Sequence, residues 1–249
     1  MKKITLSLTL LSIWFLSMAQ PTDTLKVLFV GNSYTYFNNL PHLVSVISDS
    51  TKTKLITKKT VIGGSWLYQH WNGLRGLKTK EIIEQGDFDA VVLQEYSMGA
   101  IDYPDSLRKY VPLFADLIRS TGAKPYLFQV WAREKVPQYI QELNQEYEAV
   151  ARKNDVTLVH VAKGWDMARN LRSSSALFAP DGTHPSALGT FISAAIFVGY
   201  LTGEVPEKVS EAPTAFDQSG EFIELLRVDR LDMIFALKVA KETIDTYCE

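Results

Sequence analysis

From Leu25 onward, short apolar runs alternate with amphipathic stretches. Four of these runs lack the polar alternation of a half-exposed strand, which is the pattern of parallel strands buried on both faces. A weaker strand is also predicted, because one further segment is rich in Thr, Ile and Val. The four apolar runs cover residues 26–30, 90–93, 126–130 and 157–161, and the weaker strand covers residues 54–62.

Helical patterns separate the strands. One apolar face repeats at helical spacing between Leu107 and Ile118, and Pro112 lies inside it, where a proline is expected to kink the helix. The other predicted helices cover residues 40–48, 140–150, 186–202 and about 221–246. Alternating strands and helices predict one α/β domain, a parallel sheet with helices on both faces.

The N-terminus has a different pattern. Lys2 and Lys3 precede an uncharged apolar run, and Ser17 and Ala19 are small residues at the positions that signal peptidase reads. We therefore predict a signal peptide at residues 1–19, a mature domain at 23–249, and export to the periplasm or the medium. An uncleaved anchor is the alternative; after cleavage, no stable membrane association is expected.

The net charge and the cysteine content argue against several kinds of partner and cofactor. A formal net charge of −2 gives no reason to expect a nucleic-acid or anionic-membrane partner. The four histidines are scattered, and Cys248 is the only cysteine, so no metal-ligand spacing exists and no cofactor is expected.

In an open parallel sheet, ligands bind where the carboxyl ends of the strands meet the following loops. Gly31, Asn32 and Ser33 follow the first strand, so Ser33 lies near a helix N-terminus, where N–H groups favour a negative oxygen. Ser33 is therefore a candidate nucleophile, with its own N–H as an oxyanion donor. A plain turn and helix cap is the alternative.

The next two strands end in candidate oxyanion donors. The second is followed by Gly63 and Gly64, which allow close approach of the backbone to a ligand. The third is followed by Gln94, whose amide could donate to an oxyanion. A simple turn at the glycines, and a glutamine bonded to neighbouring backbone, are the alternatives.

A loop rich in Pro and Gly carries Asp181 and His184, three residues apart. Such a loop could hold the carboxylate against one ring nitrogen and leave the other nitrogen facing a serine. Each feature is weak alone. Together they supply a nucleophile, a base with its orienting carboxylate, and oxyanion donors from Ser33, Gly64 and Gln94.

These residues resemble the SGNH (GDSL-type) hydrolases. The first block matches at residues 27–35, and the last, more specific block matches at residues 181–185. The resemblance implies a three-layer α/β/α, flavodoxin-like fold with a five-stranded parallel sheet, and ester hydrolysis without metal or cofactor. It implies Ser33 as nucleophile, His184 as base and Asp181 as its partner, with Gly64, or Gly63 if the turn is shifted, as a donor.

Two positions depart from the family pattern. Asn32 stands where the family has an aspartate before the nucleophile, and Gln94 stands where it has an asparagine donor. The longer Gln94 side chain can donate to the oxyanion only if its backbone is set back.

Aromatic residues in these loops suit stacking on sugar rings better than an acyl-chain channel. The expected reaction is therefore removal of O-acetyl groups from carbohydrates by an exported esterase. A lipase, lysophospholipase or thioesterase, and a catalytically silent carbohydrate-binding protein of the same fold, are the alternatives. The candidate substrate-binding residues are Asn32, Tyr34, Trp66, His70, Tyr96 and Trp131.

Overall fold

The computed structural model describes residues 23–217 and 219–248, so the predicted signal peptide at 1–19 lies outside the described residues. The strands are β1 Asp23–Gly31, β2 Thr53–Val61, β3 Ala90–Leu93, β4 Lys124–Phe128, β5 Thr157–Val159, β6 Thr214–Phe216 and β7 Phe222–Glu224. The helices are α1 Ser33–Tyr36, α2 Leu40–Ser48, α3 Leu67–Trp71, α4 Thr79–Gln85, α5 Gly99–Asp102, α6 Pro104–Ser120, α7 Ile140–Lys153, α8 Val161–Leu171, α9 Ala187–Thr202 and α10 Arg230–Tyr247.

Strands β1 to β5 form one parallel sheet in the order β2-β1-β3-β4-β5. The chain passes from β1 to β2 on one side and then returns to place β3 on the other side of β1. This reversal opens a crevice at the carboxyl ends of β1 and β3, where ligands bind in sheets of this order. The predicted α/β fold with a five-stranded parallel sheet is confirmed.

Helices pack on both faces of the sheet and bury its apolar strands. Helices α2, α8, α9 and α10 contact one another in one layer, whereas α3 to α7 form the other. Helix α9 is apolar around its whole circumference and is buried from Leu188 to Leu201, as expected for a helix enclosed by the sheet and other helices. No helix in the described part of the chain has the length and apolar character needed to cross a membrane.

Two predicted helices differ in detail. Helix α6 continues through Pro112 because its apolar face, including Val111 and Phe114, is fully buried and offsets the missing hydrogen bond. The helix predicted from about residue 221 begins at Arg230, where the Asp229 side chain accepts a hydrogen bond from the Asp232 N–H at 2.8 Å. The residues before it pair as the antiparallel hairpin of β6 and β7.

The predicted strand at 157–161 is also too long. It ends at Val159, and the unpredicted helix α8 begins at Val161, with Ala162 and Trp165 on its buried face. A short apolar run does not by itself separate a strand end from the first turn of a buried helix.

The close packing of α9 predicts that Gly189→Ala destabilises the fold. An added Cβ would lie 2.3 Å from the Leu177 carbonyl oxygen and 2.8 Å from Trp165 Cζ2. Relief of this overlap must shift the Leu177 backbone or the Trp165 side chain away from α9. We expect a loss of about 1–3 kcal/mol in the free energy of unfolding, measured by urea denaturation. The exposed α8 substitution Asn170→Ala is the control, and equal stability of both variants would contradict the packing.

Candidate active site

Ser33 lies where β1 turns into α1. The Asn32 side chain accepts a hydrogen bond from the Tyr34 N–H at 3.0 Å and so caps the helix. Ser33 is the first residue of α1, and its N–H has no acceptor within the described residues because the helix provides none at this position.

The loop that carries Asp181 and His184 is folded by its own backbone. The Ala179 N–H donates to the His184 carbonyl at 2.8 Å. One oxygen of Asp181 accepts the N–H groups of Thr183 and His184, both at 2.9 Å, in the manner of an Asx turn. Gly182 has a φ of +65°, which favours glycine at this position of the turn.

The segment after β4 holds this loop against the sheet. The Glu134 N–H donates to the Gly182 carbonyl at 2.9 Å, and the Trp131 indole N–H donates to the Thr183 carbonyl at 3.0 Å. Both contacts fix the backbone of the loop rather than its side chains.

The structure brings Ser33, His184 and Asp181 together. Ser33 Oγ lies 2.8 Å from His184 Nε2, and His184 Nδ1 lies 2.6 Å from Asp181 Oδ2. The hydrogen bond from the His184 side chain and those from the backbone N–H groups lower the pKa of Asp181 to about 2. The ionised carboxylate favours the tautomer with the proton on Nδ1, so Nε2 can accept the serine proton.

Aromatic rings hold the imidazole in this orientation. Phe37 stacks on His184 with ring centres 4.6 Å apart, and Tyr34 meets it edge-on at 5.7 Å. Rotation of the histidine ring would therefore break both packing contacts and the bond to Asp181.

Ser33 and His184 border a cavity of about 170 Å³, which we call the serine cavity. Gly64 lines it, whereas Gly63 does not. Gly64 is the third residue of a turn closed by the Ser65 N–H and the Ile62 carbonyl at 3.0 Å, and its φ of +66° is the value that a type II turn requires there. The other lining residues are Asn32, Tyr34, Tyr96, Ser97, Arg133 and Thr183.

Solved structures of known proteins share this fold. A DUF4886 family protein from Bacteroides uniformis ATCC 8492 aligns over 89% of this chain and 95% of its own, with 16% identity and a TM-score of 0.71. A protein from Slackia heliotrinireducens assigned to the SGNH hydrolases aligns over 72% and 99%, with 23% identity and a TM-score of 0.61. A lipase/acylhydrolase from Enterococcus faecalis aligns over 74% and 99%, with 15% identity and a TM-score of 0.56.

The chain has the fold of the SGNH hydrolases. At these identities the likeness concerns the fold alone. Neither a family model nor a curated protein matches the sequence.

Gln94 does not lie where its side chain could donate to an oxyanion at Ser33. Its side chain is fully buried, and it does not line the serine cavity. Its Oε1 accepts the Asn32 N–H at 2.8 Å and the Thr35 hydroxyl at 3.0 Å, while its NH₂ group donates to the Glu95 carbonyl. The extra methylene thus places the amide behind Ser33. The prediction that Gln94 donates to the oxyanion is therefore wrong.

His70 is likewise not a substrate-binding residue, because its side chain is fully buried. Its Nδ1 lies 2.7 Å from the Thr79 hydroxyl, and its Nε2 lies 2.9 Å from the Ser65 hydroxyl and 3.0 Å from the Gly31 carbonyl. Burial lowers its pKa to about 4. The ring therefore ties the glycine turn after β2 to the end of β1.

The prediction that Trp131 binds substrate is also wrong, because only 2% of Trp131 is exposed and its ring is stacked between Tyr34 and Trp165. Tyr34 and Asn32 line the serine cavity but are almost fully buried. Both ends of the Asn32 amide are bonded, since its NH₂ donates to the Ser65 carbonyl at 2.8 Å.

Trp66 and Tyr96 are the predicted contacts that lie at the rim. They are half-buried, and their rings stack 4.9 Å apart at 13°. Tyr103 packs on Trp66 at 4.5 Å and is 55% exposed. We call these three residues the aromatic platform.

Arg133, Ser97 and Thr183 line the serine cavity and were not among the predicted residues. Arg133 could have been found by the rule applied to the other strands, because it follows the carboxyl end of β4. No local motif marks it, since four residues separate it from Phe128 and the fold of that segment sets its direction.

Glu95, the residue before Tyr96 of the aromatic platform, is fully buried. One carboxylate oxygen accepts the N–H groups of Leu67 at 3.2 Å and Tyr96 at 2.7 Å, and the other accepts the Ser106 hydroxyl at 3.2 Å. Burial nevertheless raises the pKa of Glu95 to about 7 because it disfavours the charged form.

The contacts of Gln94 predict that Gln94→Leu lowers stability and activity together. Leucine leaves the Asn32 N–H and the Thr35 hydroxyl without an acceptor, which costs about 2–4 kcal/mol in the free energy of unfolding. Displacement of Ser33 should lower kcat about 10²-fold. Urea denaturation measures the free energy of unfolding and ester hydrolysis measures kcat, with the exposed Gln85→Leu as control. A fall in kcat at unchanged stability would instead indicate a direct oxyanion donor.

Burial of Glu95 predicts a pH-dependent effect of Glu95→Gln. The folded-state pKa of about 7 exceeds the ordinary 4.5, so the folded chain binds this proton more tightly, and wild-type stability falls as pH rises between these values. Glutamine can accept the same two N–H groups without charge. The variant should therefore gain stability relative to wild type between pH 5 and pH 8, measured by urea denaturation. The exposed Glu207→Gln should show no such gain; a pH-independent difference for Glu95→Gln would contradict the raised pKa.

Proposed function

We propose that this protein is a serine esterase that removes small acyl groups, in the first place acetyl groups from carbohydrates. The observation that carries the proposal is the chain of hydrogen bonds from Ser33 Oγ through His184 to the ionised Asp181, at the edge of a small cavity. The fold shared with a lipase/acylhydrolase supports the same reaction type.

In the first step, His184 Nε2 takes the hydroxyl proton of Ser33 while Ser33 Oγ attacks the ester carbonyl. Asp181 stays ionised and stabilises the imidazolium that forms. The negative charge on the carbonyl oxygen is then stabilised by the N–H groups of Ser33 and Gly64, which have no acceptor within the described residues.

In the second step, the imidazolium gives its proton to the leaving alcohol, and the acyl group remains on Ser33 as an ester. Water then loses a proton to His184 Nε2 and attacks this acyl-enzyme. Collapse of the second tetrahedral intermediate returns the proton to Ser33 Oγ and releases the carboxylic acid.

The size of the serine cavity favours a short acyl group. A volume of about 170 Å³ is below the range of about 300–1,000 Å³ that is typical of pockets for larger ligands. An acetyl group fits such a space, whereas a long acyl chain would have to leave it along the surface.

The aromatic platform supports a sugar as the alcohol component. Trp66, Tyr96 and Tyr103 present flat rings beside the cavity, and such rings pack on the apolar faces of sugars. The N-terminal pattern of residues 1–19 supports an exported esterase acting on a glycan outside the cytoplasm.

The proposal predicts acetate release by the purified protein from p-nitrophenyl acetate and from O-acetylated polysaccharides. Ser33→Ala should lower kcat by about 10³-fold or more, because the nucleophile is lost while the fold is kept. In a series of p-nitrophenyl esters of increasing acyl chain length, kcat/KM should fall for chains longer than butyrate. Enzymatic acetate measurement and absorbance at the nitrophenolate band give the rates.

A fluorophosphonate probe tests whether Ser33 is activated at all. Wild type should be labelled, and Ser33→Ala and His184→Ala should not. Absence of labelling together with absence of acetate release would favour a catalytically silent carbohydrate-binding protein. Rates that rise with chain length would favour a lipase or thioesterase.

A further inference from the structure

Arg133 places a guanidinium at the serine cavity, five residues after the end of β4. Its Nη2 donates to the Ser97 hydroxyl at 2.8 Å and to the Tyr96 hydroxyl at 3.1 Å, and its guanidinium carbon lies 5.8 Å from the centre of the Tyr96 ring. These partners hold the side chain in one place, and all of them are neutral.

No Asp or Glu of residues 23–217 and 219–248 forms an ion pair with Arg133. Other arginines of the same chain do have carboxylate partners, for example Arg108 with Glu146 and Arg172 with Asp232. The Arg133 Nε is buried and has no hydrogen-bond partner among the described residues. A cation that is partly withdrawn from water without a counter-charge is costly to the fold, which suggests that the charge serves a ligand.

Arg133 also borders two cavities besides the serine cavity, of about 350 Å³ and about 330 Å³. It lines the serine cavity and a neighbouring cavity of about 350 Å³, and Thr183 is the other residue common to both. Asp181 and Gly182 line the larger cavity. Because His184 must protonate the leaving alcohol, the alcohol leaves toward this loop, so the larger cavity suits the alcohol component.

We propose that Arg133 binds a carboxylate on the alcohol component of the substrate, so that the preferred ester is an O-acetylated acidic sugar. A planar guanidinium with free donors matches a carboxylate better than it matches a sugar hydroxyl. With Nη2 tethered and Nε buried, Nη1 is the donor that can reach a ligand. This inference rests on the proposed esterase function and names its substrate class.

Other charges at the larger cavity limit where the anion can lie. Lys135 adds a positive charge, whereas Asp102 adds a negative one, and the charge of Asp181 is engaged by His184. A carboxylate is therefore expected beside Arg133, at the boundary of the two cavities, rather than deep in the larger one.

The decisive experiment compares two substrates that differ only in charge: an O-acetylated methyl uronoside with a free carboxylate, and the same compound as its methyl ester. Wild type should release acetate from the charged compound with the higher kcat/KM. Arg133→Gln should lower kcat/KM for the charged compound about 10- to 100-fold, mainly through KM, and change that for the neutral compound by less than about 3-fold. Arg133→Lys should give a kcat/KM for the charged compound that lies between the values for wild type and Arg133→Gln.

Matched measurements separate this role from bracing of Tyr96 and Ser97. A bracing role predicts equal losses of Arg133→Gln on both substrates and on p-nitrophenyl acetate, and this result would overturn the proposal. So would equal wild-type rates on the charged and neutral compounds. The exposed α7 substitution Arg152→Gln removes the same charge far from the cavity and should retain wild-type selectivity.

A binding measurement tests the role of Arg133 even if the protein hydrolyses neither compound. In the Ser33→Ala background, calorimetry should show tighter binding of the charged compound than of its methyl ester, and Arg133→Gln should abolish the difference. Absence of any selectivity in binding would refute the role of Arg133. Selective binding without turnover by wild type would refute the esterase function alone.

Discussion

The position of Ser33 depends on one buried oxygen atom. Gln94 Oε1 accepts the Asn32 N–H on one side of Ser33 and the Thr35 hydroxyl on the other, and thereby ties β1 to β3 at the point where the sheet reverses its order. Gly31 makes this approach possible, because a Cβ there would lie 2.5 Å from the same oxygen. The glutamine thus acts as a support behind Ser33, the proposed nucleophile, and the proposed oxyanion donors are main-chain N–H groups.

This arrangement makes the chemistry depend on backbone geometry. The N–H of Ser33 is free because a helix begins there, and Gly64 faces the cavity because its turn requires a positive φ. His70, buried between the two segments, joins them through the Ser65 hydroxyl and the Gly31 carbonyl. A substitution at such a supporting residue is therefore expected to act on the rate through the backbone, although none of its atoms reaches the substrate.

The sequence predicted the features that depend on local pattern. The five strands, Ser33 after β1 and the turn at Gly64 follow from apolar runs and glycine chemistry, and the folded loop brings His184 to Ser33 as expected. The errors concern directions that only tertiary packing decides. Gln94 and Trp131 point away from the cavity, whereas Arg133, which carries no local signal, points into it.

The four residues after β3 show why such directions are hard to predict. Gln94 is buried behind Ser33 and Glu95 is buried against the N–H groups of Leu67 and Tyr96, while Tyr96 and Ser97 line the serine cavity. Tyr96 connects these environments: its N–H donates to Glu95, its ring stacks on Trp66 and its hydroxyl accepts from Arg133. Support of Ser33, the aromatic platform and the hold on Arg133 therefore share one short backbone segment.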